Sequence, residues 1–120
     1  SLLTGRYLGL SVGERQIGSL PEPGRFADDV EGIAVHHGAQ LLFTSDEDNG
    51  RIMVHDLRAA YTRADSDYGF VGSFGTVGDA AGQLRSADGI AVDEDSGLIA
   101  VADQGNDRVQ IFHIDQIHGQ

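Results

Sequence analysis

The sequence predicts an all-β fold built from repeated four-stranded antiparallel sheets, and three observations predict it. The first is self-similarity. Val30-Glu31-Gly32-Ile33-Ala34-Val35 returns as Ala87-Asp88-Gly89-Ile90-Ala91-Val92, a shift of 57 residues from Gly32 to Gly89, and repetition at a fixed period marks a repeat architecture. The second is punctuation. The apolar segments are short, rich in Ile, Val, Leu and Phe, and bounded by Gly, Asp, Asn and Ser, which is the chemistry of strands joined by hairpins. The third is that no stretch of the repeat sustains the 3.6-residue apolar period of an amphipathic helix.

The elements follow in order. Arg6-Tyr7-Leu8-Gly9-Leu10 and Gln16-Ile17-Gly18-Ser19-Leu20 read as the third and fourth strands of a preceding unit, and Gln16-Ile17-Gly18-Ser19 echoes Phe70-Val71-Gly72-Ser73. A complete unit then places strands at 32–35, 41–45, 51–57 and 70–74. Arg58 to Tyr68, with Ala59, Ala60 and Ala64 among charges, reads as a helical or loop insertion. Strands recur at 89–92, 98–102 and 108–114. The register holds well beyond the first motif: Asp46 maps onto Asp103, Asn49 onto Asn106 and Arg51 onto Arg108.

Four short antiparallel strands, repeated, describe a β-propeller blade. The chain is thus expected to be a single partial propeller segment. Residues 1–27 give the last two strands of a preceding blade, 28–75 a complete blade, and 76–120 the first three strands of a further one. Closed propellers use roughly 4–8 blades, so this is either a fragment of a six-bladed propeller or a partial propeller completed by self-assembly. Three copies would supply roughly six blades.

Charge narrows the partners. The chain carries 19 acidic and 8 basic residues, all Arg and no Lys, for a formal net charge of −11. Nucleic acids and anionic membranes need clustered positive charge, so neither is an expected partner. The absence of cysteine excludes thiol nucleophiles, disulfide scaffolds and Cys-type zinc sites.

Strand direction distributes the acids. With alternating strands, the start of each first strand and the turn between second and third strands share one rim. Asp28, Asp29 and Glu31 precede the first strand of the complete unit, and Asp46, Glu47 and Asp48 occupy its second turn. In the next unit Asp88 precedes the first strand, and Asp103 and Asn106 sit in the turn. Oxygen ligands from several loops, without His or Cys, suit a hard cation such as Ca²⁺. The candidate ligands are Asp29, Glu31, Asp46, Asp88, Asp103 and Asn106. A structural reading stands beside this, because Arg51 and Arg108 follow Asp46 and Asp103 by five residues and can pair with them across each hairpin. His36 and His37 read as loop histidines. The glycines around 72–82 lack the following helix of a phosphate-binding loop, and the serines have no His and Asp partners at triad spacing. No catalytic or substrate-binding residue is assigned.

Two families are resembled. Phe74-Gly75, Asp88-Gly89-Ile90-Ala91-Val92-Asp93, Ile99-Ala100-Val101-Ala102-Asp103 and Asn106-Asp107-Arg108-Val109-Gln110-Ile111-Phe112 closely resemble an NHL repeat, a propeller blade used mainly for binding. Asp29-Val30-Glu31-Gly32-Ile33-Ala34-Val35, Leu42-Phe43-Thr44-Ser45 and Ile52-Met53-Val54-His55-Asp56-Leu57 resemble the β-propeller phytases, calcium-dependent phosphatases of inositol phosphates. The second resemblance implies that Asp29, Glu31, Asp88, Asp103 and Asn106 lie on a calcium-lined face. It also implies an extracellular or periplasmic setting and hydrolysis of the phosphate esters of a polyol. The first implies a binding module for a protein or small ligand, without catalysis. A propeller that processes lactones or carbohydrates around a single calcium is a third reading.

Overall fold

Alternating burial along each apolar segment decides how the sheets stack, and the stack decides where the acids lie. The computed structural model describes residues 30–62 and 68–116. The strands expected within 1–27, the candidate ligand Asp29 and the end of the insertion fall outside them. Blade one is a four-stranded antiparallel sheet in sequence order: β1 (Ile33–His36), β2 (Leu41–Asp46), β3 (Arg51–Asp56) and β4 (Phe70–Phe74). Between β3 and β4, helix α1 (Leu57–Thr62) begins the insertion. The carboxylate of Asp56 accepts a hydrogen bond from the Ala59 amide at 2.8 Å, and Leu57, Arg58 and the two alanines that follow are good helix formers.

The link to blade two contains a short parallel pair, β5 (Thr76–Val77) with β6 (Gln83–Leu84). Blade two is a three-stranded antiparallel sheet of β7 (Ala87–Asp93), β8 (Leu98–Asp103) and β9 (Arg108–His113). These are propeller-type blades in the predicted order, with strand ends within about two residues of the expected ones. The largest shift is at β7. It begins before Asp88, and its register breaks between Ala87 and Ile90, so Asp88 and Gly89 sit in a bulge.

The main core lies between the sheets. Phe43, Ile52, Val54 and Phe74 from blade one meet Ala87, Ile99, Val101 and Phe112 from blade two, with Leu84 of the link enclosed between them. The rings of Phe74 and Phe112 stand 4.8 Å apart, tilted by 50°. Burying each large side chain here stabilises the pair of blades by about 1.5–3 kcal/mol relative to exposure. A smaller cluster lies on the other face of blade one, where Leu42 and Ala60 pack with Val35, Leu57 and Tyr68.

Candidate functional site

The rim predicted to gather acids does so through three carboxylates. Glu31, before β1, Glu47, in the 3-10 turn after β2, and Asp88, in the β7 bulge, each offer an oxygen, and these oxygens lie within 4.8 Å of one another. A bulge re-aims a side chain, which is how Asp88 lies beside a neighbouring blade's acids. Two contacts fix the spacing. A Cβ on Gly32 would overlap the Asp88 carbonyl oxygen, so only glycine lets the starts of β1 and β7 lie this close. Ser45, fully buried in β2, accepts hydrogen bonds at its Oγ from the Glu31 and Gly32 amides at 3.0 and 2.8 Å. The Ser45 amide in turn donates to the Gly32 carbonyl at 3.1 Å.

Asp46 and Asp103 point elsewhere. Each is directly opposite its arginine in the hairpin register, Asp46 with Arg51 and Asp103 with Arg108, so each pair shares one face of its sheet. Arg51 Nε donates to Asp46 at 2.7 Å, and Asn49 donates to both of its carboxylate oxygens at 3.1 Å. Arg108 Nε donates to Asp103 at 2.8 Å, joined by Asn106 at 2.9 Å, Gln110 at 3.2 Å and the Arg85 amide at 2.7 Å. Asn106 also donates to the Gly78 carbonyl, and Arg108 to those of Ala80 and Gln83. Burial alone would raise the Asp103 carboxyl, but the hydrogen bonds from Asn106, Arg85, Arg108 and Gln110 outweigh it and hold the group below the ordinary aspartate range. The structure therefore brings Glu31 and Asp88 together, engages Asp46, Asp103 and Asn106 in clasps within the blades, and adds Glu47, which the sequence reading left among turn residues.

The triad has the donor set of a hard-cation site. All donors are carboxylate oxygens, and three of them at this separation repel one another unless positive charge intervenes. Asp88 Oδ1 is buried without a hydrogen-bond partner, a condition that metal ligation would relieve. Three carboxylates supply part of the six to eight oxygens that Ca²⁺ takes, and water commonly completes such a shell.

The opposite rim is joined differently. There Glu94, after β7, accepts hydrogen bonds from the His37 and Gly38 amides at 2.9 and 3.0 Å. Those two amides hold its carboxyl below the usual glutamate range. His36 Nδ1 accepts from the Ala39 amide at 2.9 Å, which suits a loop-capping histidine. The glycines around 75–82 form the connection that the Asp103 clasp holds.

The spacing of Asp88-Gly89, Asp103, Asn106 and Arg108 along β7, β8 and β9 decides the comparison with known repeats. Residues 84–112 match the NHL repeat. The matched stretch runs from the buried Leu84 of the link to Phe112 of β9, and it contains the whole Asp103 clasp and one rim carboxylate. With the sheet order, this makes blade two an NHL-type propeller blade. No curated protein matches the chain.

Proposed function

We propose that the chain is part of an NHL-type propeller binding module whose rim takes up Ca²⁺ through Glu31, Glu47 and Asp88. The observation that carries this reading is the convergence of three carboxylates from three separate stretches around a buried, unpartnered Asp88 oxygen. The rim is strongly acidic without a cation, so a phosphorylated small molecule or an acidic protein loop would meet it only through the metal. An open site with few protein ligands suits the weaker calcium affinities of extracellular modules, about 10⁻⁴–10⁻³ M, and this supports an extracellular or periplasmic setting.

A second reading, a calcium-dependent phosphatase of the phytase type, is favoured by one observation. Glu31-Gly32, the start of the phytase-like stretch, supplies both a rim carboxylate and the glycine that admits Asp88. Bound calcium would neutralise phosphate oxygens and lower the pKa of a coordinated water. The chain's own contribution is to hold the three carboxylates at fixed spacing. Arg51 and Arg108 are committed to Asp46 and Asp103.

Thermal unfolding and calorimetry in CaCl₂ and in EDTA test the binding reading. Calcium at about 100 times its Kd is expected to add about 2.7 kcal/mol of stability. Glu47→Gln and Asp88→Asn should remove that gain while leaving the EDTA stability close to the parent's. Equal melting with and without calcium would end the proposal. Calcium-dependent release of phosphate from phytate separates the two readings, since binding without turnover leaves only the first.

A further inference from the structure

The largest exposed apolar side chains among the described residues are Val30, Ile33, Val77, Leu98, Val109 and Ile111. Five of these six obey the repeat. Leu98, Val109 and Ile111 stand in blade two where Leu41, Ile52 and Val54 stand in blade one, and those three pack against blade two. Val30 and Ile33 stand where Ala87 and Ile90 stand in blade two, and those two pack against blade one. Val77, in the link, has no part in the pattern.

The interface inside the chain therefore has two sides, and each side occurs a second time on an outward face. The outer face of blade two repeats the blade-one side. Ile111 there is 59% and Val109 64% exposed, beside a shallow apolar depression lined by Ala91, Leu98, Ala100 and Ile111. The far face of blade one repeats the blade-two side. Helix α1 covers Leu42 and Val35, which leaves the start of β1 open with Ile33 66% exposed. Unpaired apolar faces of this kind mark association surfaces.

From this we infer that copies of the chain associate head to tail, the outer face of blade two in one copy seating on the β1 side of blade one in the next. The occupant is a second copy because both complementary sides are carried by the same chain. The contact is heterologous, since the two faces differ, and heterologous contacts close into rings when the rotation permits. Closed propellers hold roughly 4–8 blades, so a ring would contain about two to four copies. The inference does not depend on calcium.

Sedimentation or light scattering of the 120-residue chain tests it. The parent is expected at two to four times the mass of one chain. Ile111→Asp and Ile33→Asp are each expected to give the mass of a single chain, with far-UV dichroism unchanged because both side chains are exposed. Mixing the two variants should restore a dimer and nothing larger, since each retains one intact face. Leu98→Arg repeats the first arm should Ile111→Asp fold poorly. A monomeric parent, a variant that keeps the parent's mass, or a mixture without dimers would overturn the inference. A monomeric parent would also mean that some other chain covers these faces.

Discussion

In blade one the carboxylate of Asp46 is met by Asn49 and Arg51, whereas in blade two that of Asp103 is met by Asn106, Arg108, Gln110 and the Arg85 amide. The motif is the same, and both carboxylates are buried. The additional donors of blade two come from the strand and from the link, so its clasp ties the connection between blades to the sheet it enters. The equivalent of Gln110 in blade one is Met53, which cannot donate. A repeat can thus conserve a local ion pair while changing what the pair holds. Asp103 fastens one part of the chain to another, whereas the described partners of Asp46 all belong to its own hairpin.

Asp103→Ala is the largest expected break in that comparison. Removing a buried carboxylate strands the Arg108 guanidinium and three further donors, at a cost of about 3–5 kcal/mol. Asp46→Ala should cost less, about 2 kcal/mol, and urea unfolding of both variants measures the difference. The pH dependence carries the same sign. The Asp103 carboxyl titrates lower when folded than when unfolded, so its contribution is complete above the unfolded value of about 3.9 and fades as pH falls toward the folded one. Asp103→Ala should therefore flatten the acid limb of the stability curve. Equal losses from the two alanine variants would show that the link contacts contribute nothing.

Gly32 and Gly89 are repeat equivalents with opposite surroundings. A Cβ at Gly32 would overlap the Asp88 carbonyl oxygen, while at Gly89 its nearest neighbour is the Ala102 Cβ at 3.7 Å. Gly32→Ala must move backbone and is expected to cost about 3 kcal/mol. Gly89→Ala, on an exposed bulge, should stay within about 0.5 kcal/mol. Thermal melts of the two variants decide it, and calcium titration of Gly32→Ala should also show weakened binding, because the same movement separates Glu31 from Asp88.

The contrast between these glycines explains what could be read from the sequence. The strands, their order and the convergence of strand starts with turns followed from periodicity and direction, as did the placement of Glu31 and Asp88. The pairing of Asp46 and Asp103 with their arginines followed from hairpin spacing, as one of two readings. Glu47 did not. Its repeat equivalent is Gln104, so no repeated acid flagged it, and only the 3-10 turn places it on the rim beyond the inward-facing Asp46. The bulge at Asp88 was equally hidden, since a register break depends on how β7 meets β8. The β5–β6 pair, two residues a strand, is too short to carry a periodic signal.

Ser45 offers the finest test of the comparison. Its hydroxyl ties down two amides at the start of β1, and its repeat equivalent is Ala102, which can accept no hydrogen bond. Blade two manages without the hydroxyl because its first strand bulges at that point. Ser45→Ala leaves two amides without their acceptor and is expected to cost about 1–2 kcal/mol. Because Glu31 is one of the two, calcium affinity should fall along with stability. Ala102→Ser, the reciprocal change, should not strengthen either property, since the β7 bulge breaks the register that would bring the Asp88 and Gly89 amides to a hydroxyl there. If Ala102→Ser raised stability by as much as Ser45→Ala lowers it, the two strand starts would be interchangeable, and the bulge would have no part in aiming Asp88 at the rim.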